Sequence, residues 1–277
     1  MTQRSVPQPN AVQVSLAEVQ TAYGDAPWAH PLIRLPRCWA TLICQQPTPK
    51  PRGHWHPDSD EWWLVLAGDI EWDVEGIGVF RARPGDCLCV PRGHAHRIRV
   101  LGDRPAIRLT IHNPDIALMA PDARTPAERR RDLGQSLANC NGQISLDTPA
   151  WLPPNLPMVY FEDIKAARGD APWRHRLLAN EHISGELIYE LPASAPTGHW
   201  HAHVDEWWVV LEGETEWLIE GIGAIRARRH EFVFVEAGRL HQIHAIGDWP
   251  SLRLPIATPH LPHLAPEESG PTRWIRR

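Results

Sequence analysis

The residues best placed to do chemistry are histidines set two apart with a carboxylate downstream. His54-Trp55-His56 is followed by Glu61 and, further along, by His96; His199-Trp200-His201 is followed by Glu206 and His241. On an extended strand, residues two apart point to one face, so each His-x-His pair converges. Glu61 lies five residues beyond His56, an odd step that a continuous strand would turn to the wrong face. Pro57-Asp58-Ser59-Asp60 reads as a turn that lets Glu61 face back from an adjoining strand. His96 would close the site from a distant strand. Three imidazoles and one carboxylate suit a mid-to-late first-row metal, with positions left open for substrate or oxygen. Glu61 and Glu206 are also the candidate catalytic bases, each able to act by shifting off the metal.

The constellation occurs twice because the chain is a tandem repeat. GDAPW starts at Gly24 and Gly169, GHWH at Gly53 and Gly198, DEWW at Asp60 and Asp205, and EGIG at Glu75 and Glu220. Every pair stands 145 residues apart (199 minus 54 for the first histidines), and no gap is needed. From Gly24 to Pro114, roughly 45% of positions are identical to their counterparts, over a period far longer than a solenoid unit. Each copy is therefore a domain: residues 11–118 and 157–263, joined by a linker at 119–156 and followed by a polar tail at 264–277. In the linker, RTPAERRRDLGQSLANCNG reads as one helix with Thr125 as N-cap, Pro126 in the first turn, Glu128 completing a capping box and Asn141-Gly142 as the stop.

Within each copy the pattern is that of strands. EWWLVLAGDIEWDVEG and EWWVVLEGETEWLIEG are rich in Trp, Val, Leu and Ile with Gly at the expected hairpin turn. Cys87–Val90, Phe232–Val235, and the runs beginning at His96, His241, Arg108 and Arg253 continue the series. Short strands at close spacing predict an all-β sandwich or barrel, and the alternating helices of a doubly wound fold are missing. If Glu61 faces the lumen, Trp63 and Val65 share its face, and Trp208 and Val210 share that of Glu206. If His96 and His241 face in, so do Ile98 and Ile243. These six predict an apolar, aromatic pocket that favours an aromatic or hydrophobic substrate over a small dicarboxylate. Trp55, Trp62, Trp200 and Trp207 then fall on the opposite face and pack between the barrels or against a second chain. Arg108 and Arg253 are placed to meet a substrate carboxylate or to form structural ion pairs; Arg83 and Arg228 share that ambiguity.

Composition narrows the classes. The 277 residues carry a formal net charge of -5, which gives no electrostatic footprint for nucleic acid. No run approaches the roughly 20 apolar residues of a membrane helix. The N-terminal segment has no apolar stretch of the secretory kind, and the five Cys form no disulfide framework; reduced buried thiols and a cytoplasmic location are expected.

The motifs carry a family resemblance. HxHxxxxExxxxxxG, from His54 to Gly68 and from His199 to Gly213, resembles cupin motif one, and GxxxxxPxGxxH, from Gly85 to His96, resembles motif two. The two motifs occur in order in both repeats, so the chain resembles a bicupin. That resemblance implies one jelly-roll-like β-barrel per repeat, with a metal ion held inside each by three His and one Glu: Fe(II) first, with Mn, Ni or Cu as the other choices. It also implies a small-molecule substrate, dioxygen as co-substrate and a homo-oligomer. The second repeat departs from motif two, with His230 for Gly85, Glu236 for Pro91 and Arg239 for His94, so the first site is expected to be the catalytic one. With an apolar lumen, the expected activity is that of a dioxygenase, as in quercetinase-like bicupins. The alternatives are a non-redox isomerase, lyase or decarboxylase, as in oxalate decarboxylase-like bicupins, and a bicupin that binds a ligand without chemistry.

Overall fold

The computed structural model describes residues 5–114, 116–133, 137–138, 144–145, 151, 153–192, 198–259 and 263–265. Cys140 and most of the tail lie outside the described residues. The architecture is all-β, with two tandem barrels, each a six-stranded sheet facing a three-stranded one. In the first barrel the large sheet runs Met158–Val159, Cys87–Val90, Glu61–Ala67, Ala106–His112, Trp39–Gln45, Trp28–Arg34. Its small sheet runs Gly78–Ala82, Ile70–Val74, His96–Val100. The second barrel repeats both orders, and every strand pairing among the described residues is antiparallel.

The repeats exchange strands. Each opens with a short strand and a helix: Gln13–Ser15 with Leu16–Tyr23, and Met158–Val159 with Phe161–Arg168. Gln13–Ser15 pairs with Glu231–Val235 of the second barrel, and Met158–Val159 pairs with Cys87–Val90 of the first. The sheet hydrogen bonds therefore cross the boundaries drawn from sequence at 11–118 and 157–263. These helices add to the all-strand pattern expected for a repeat. The first was legible in Ser15-x-x-Glu18, which forms a reciprocal capping box; Tyr160 makes no side-chain cap for the second.

Three apolar cores follow from this layout. Along Trp39–Gln45 buried and half-buried residues alternate, as on a strand with one covered face. Glu61–Ala67 and Glu206–Glu212 are buried on both faces until their last residue, because one face looks into the strand's own lumen and the other toward the opposite barrel. The largest core lies between the barrels and joins Trp62, Leu64, Leu109 and Ile111 to Trp207, Val209, Leu254 and Ile256. The lumens hold the other two: Trp63, Val65, Trp72 and Val90 in the first, and Trp208, Val210, Trp217 and Val235 in the second. Trp62 and Trp207 thus pack between the barrels as expected. Trp55 does not: it lies under the Arg124 and Arg129 guanidiniums and donates to Ala120 O.

The linker helix is shorter than its sequence predicts. The expected cap is present, with Thr125 and Glu128 bonded reciprocally and Pro126 in the first turn. The helix ends at Asp132, and Leu137–Ala138 pairs antiparallel with Ile144–Ser145. Gly134 is a poor helix former, and Asn141-Gly142 signals a hairpin as readily as a helix stop.

Candidate metal centres

Among the described residues, two groups of side chains could hold a metal ion: His54, His56, Glu61, His96 and His199, His201, Glu206, His241. In each, one ligand atom per residue lies within 4.8 Å of all the others. These are the eight residues singled out by spacing. In both barrels the first histidine is held against the last by a pair of backbone hydrogen bonds, His54 to His96 and His199 to His241. The chain then bends, and Glu61 and Glu206 each begin a strand, which resolves the odd step. His56 Nε2 lies 2.9 Å from Glu61 Oε2, and His96 Nε2 lies 3.6 Å from it. The matching distances in the second group are 3.1 and 3.7 Å.

The donor set fits a divalent transition metal. His96 Nε2 and His241 Nε2 are buried without a hydrogen-bond partner. Their other ring nitrogens face carbonyls, His96 Nδ1 at 3.3 Å from His94 O and His241 Nδ1 at 3.0 Å from Arg239 O. An Nδ1–H donated there leaves Nε2 with a lone pair directed into the cluster, the arrangement typical of metal-binding imidazoles. Burial, with the neighbouring cationic groups, holds His54 down at about 4 and His199 down at about 3. Both are neutral at pH 7 and ready to ligate. Burial alone would raise the two carboxyls, but the adjacent imidazoles outweigh it, holding Glu61 well below its usual range and Glu206 at about 2.

The degenerate second motif builds the same site. Gly85 has φ 98° and its counterpart His230 has φ 63°, a left-handed conformation uncommon for a side-chain-bearing residue. Gly85 N donates to Val65 O, and His230 N makes the corresponding bond to Val210 O. Gly93 and Gly238 remain left-handed and donate to His56 O and His201 O, pinning the His-x-His strand. The turn therefore survives the loss of Gly and Pro.

The lumens differ. A cavity of about 510 Å³ reaches His199 and Glu206 in the second barrel, lined by Trp208 and Ile243 and also by Arg174, Arg176, Glu186, Glu190, Arg253 and His263. An apolar pocket was expected, and this one is charged, because Arg174, Arg176, Glu186 and Glu190 lie on strand faces whose side chains the sequence pattern did not assign to the lumen. Val210 is not among the lining residues and belongs to the packed interior. In the first barrel Trp63, Val65 and Ile98 are likewise packed with Trp72, and the Trp63 ring stands 5.2 Å from that of His96. There the Trp39–His112 cross-strand pair, rings 6.4 Å apart, occupies the positions that Ser184 and Ala257 hold along the second cavity.

The arginines separate by role. Arg253 is buried and ion-paired with Glu190. Arg108, its counterpart, is buried against the neutral Gln45 Oε1, and burial pulls it down to about 10. Arg228 pairs with Glu214 at the surface, and Arg83 makes a backbone bond to Asp86. Residues with no motif also brace the first site. Asp60, next to Glu61, is buried and accepts from Arg92 and from Asn180 of the second repeat, while Arg92 also meets Glu181. Asp205, the counterpart of Asp60, accepts instead from Ala237 N. Nothing local in the sequence marks these partners, since 120 residues separate Asn180 from Asp60.

Comparison with known proteins agrees with this fold. Residues 42–112 match the cupin domain model, Cupin_2. A dimethylsulfoniopropionate lyase of Ruegeria pomeroyi is 38% identical over 63 residues, which span 23% of this chain and 30% of that relative's length. Among solved structures, Lactobacillus farciminis oxalate decarboxylase in its formate complex superposes with a TM-score of 0.52 at 17% identity, over 96% of this chain and 92% of the other. Bacillus subtilis oxalate decarboxylase, described with Mn(II) centres, gives 0.52 at 16% over 92% and 74%. A Cupin 2 conserved barrel domain protein from Leptotrichia buccalis gives 0.59 at 14% over 91% and 99%. At these identities the structural likeness is one of fold. No helix among the described residues is long and apolar enough to cross a membrane.

Proposed function

We propose that this chain, which has the bicupin fold and a cupin-domain match over residues 42–112, is a metal-dependent enzyme of the non-redox kind, a lyase or decarboxylase, acting on a small carboxylate-bearing molecule in its second barrel. The observation that carries this reading is the charged cavity at His199 and Glu206. The dioxygenase expectation rested on an apolar lumen, and that support is gone. The names of the similar proteins point the same way, since oxalate and dimethylsulfoniopropionate both carry carboxylates.

Each group in the cavity has a part. A divalent cation held by His199, His201, Glu206 and His241 would supply Lewis acidity toward a bound carboxylate or carbonyl. Mn(II) is the first metal to test, ahead of Fe(II), because the donor set accepts either and the similar Bacillus subtilis enzyme is described with Mn(II). Arg174 and Arg253 are held by Glu186 and Glu190, whereas Arg176 has no ion pair among the described residues and offers its guanidinium to an anionic substrate. Glu206, its carboxyl held below the usual range by the His201 and His241 imidazoles, is ionised at neutral pH and has no proton to give. Trp208 and Ile243 form the apolar wall that limits water beside the metal.

The test is product formation by Mn(II)-loaded protein with oxalate and with dimethylsulfoniopropionate, alongside an oxygen electrode. Product without matching oxygen consumption, abolished by His199→Ala, is expected. Oxygen consumed in step with product would overturn the non-redox assignment and restore the dioxygenase. Tight carboxylate binding without product would leave a ligand-binding bicupin.

A further inference from the structure

Position 118 of the first repeat corresponds to position 263 of the second, at the same 145-residue offset that relates the metal-site histidines. Both are placed by the same device. Trp55 and Met119 exchange two backbone hydrogen bonds, N to O at 3.0 and 2.9 Å, and Trp200 and Leu264 do the same at 3.2 and 3.0 Å. Each tryptophan sits between the two histidines of its His-x-His pair, so the residue before the bridge is brought beside that pair. In the first barrel this residue is Leu118, which is 66% exposed. In the second it is His263, whose ring centroid lies 4.7 Å from that of His199 and 4.9 Å from that of His201. The ligand rings of the same cluster stand 4.3, 5.1 and 5.7 Å from one another. His263 is therefore as close to two ligand imidazoles as they are to their own partners, and it lines the cavity from which substrate would approach.

We propose that His263 is a fourth imidazole of the second metal centre: a ligand that occupies an open coordination position when the cavity is empty and yields it to substrate. This rests on both clusters binding metal. The first centre has three imidazoles and a carboxylate; the second has four and a carboxylate, so one chain carries two centres of different ligand field and affinity. Neither the His-x-His motif nor the glycine turn specifies His263. It is fixed by a backbone bridge to a residue more than sixty positions earlier.

The experiment uses the full chain stripped of metal and titrated with Co(II) and, separately, Cu(II). Absorption and electron paramagnetic resonance are recorded for the parent, His263→Ala and Leu118→His. In the parent, two classes of site with distinct spectra are expected. His263→Ala should weaken the second class at least about tenfold, the scale on which metal sites respond to loss of a supporting group. It should also shift the spectrum of that class toward that of the first and leave the first class unchanged. Leu118→His should move the first class toward the second. Circular dichroism checks that the exposed substitutions leave the fold intact. Two metals bound with affinities and spectra unaltered in His263→Ala overturn this inference and spare the metal centres. No metal bound by the parent overturns both.

Discussion

The two barrels hold like sets of candidate metal ligands in unlike surroundings. Both place three imidazoles and a carboxylate within 4.8 Å, both bridge the first histidine to the last, and both pin the His-x-His strand with a left-handed glycine. They part at the lumen. Trp39 and His112 in the first barrel stand against Ser184 and Ala257 in the second, Gln45 against Glu190, and Leu118 against His263. A metal centre built on backbone hydrogen bonds tolerates divergence around it, because those bonds depend on strand pairing and turn conformation rather than on side-chain identity. The lining of a lumen is made of side chains, so a few substitutions give the two barrels unlike interiors. Motif quality does not track the side chains of the lumen: the intact motif two belongs to the barrel that carries Trp39 and His112, and the degenerate one to the barrel whose cavity reaches His199 and Glu206.

The largest effect expected is in activity. His199→Ala should reduce turnover at least about 100-fold, while His54→Ala should leave it within a few-fold of the parent, each losing one metal per chain by mass spectrometry. Equal losses from both substitutions would show that the barrels share the chemistry. Next is the brace. Asp60→Ala removes the buried carboxylate that Arg92 and Asn180 share, leaving Arg92 its pair with Glu181, and should cost about 2–3 kcal/mol in denaturant unfolding. Asp205→Ala removes one bond to Ala237 N and should cost nearer 1 kcal/mol.

Filling the second lumen to resemble the first is a sharper probe. Ser184→Trp with Ala257→His should abolish substrate binding, read as loss of saturation kinetics, while metal content stays at the parent value. Metal lost together with binding would mean that the pair disturbs the centre rather than the cavity.

Acid stability distinguishes the sites more finely. His54 and His199 are held at about 4 and about 3 in the folded chain against 6.5 when unfolded. Below pH 6.5 the unfolded chain takes up protons that the folded one refuses, so this stability is present above pH 6.5 and lost as the pH falls toward 4. His56 is raised, since the Glu61 hydrogen bond and charge outweigh its burial, and it acts in the opposite sense. Thermal melts of metal-free protein should accordingly show a larger rescue of acid stability from His199→Gln than from His54→Gln. The smallest effect is at the turn. His230→Gly should relieve a left-handed backbone and raise stability by about 1 kcal/mol, and Gly85→His should lower it by a similar amount.

Much of this was legible beforehand. The repeat, the strand pattern and the eight clustered residues follow from identity at fixed spacing, period-two alternation and two motifs. Those signals are local, or are copied from one half to the other, and so survive without knowledge of the fold. The linker helix was overextended because its cap was strong and its C-terminal dipeptide serves a hairpin equally well. The lumen was misjudged because Arg174, Glu186 and Glu190 sit on strands with no ligand to set their facing. Asn180 on Asp60, His263 beside His199, and the exchange of Gln13–Ser15 for Met158–Val159 all join residues far apart in sequence. The sequence by itself determined which eight residues cluster, because their spacing is a property of single strands and turns. Only the tertiary structure decided which barrel is open, what charges line it and which strands close it, because those depend on packing between segments whose separation in sequence carries no record of their contact.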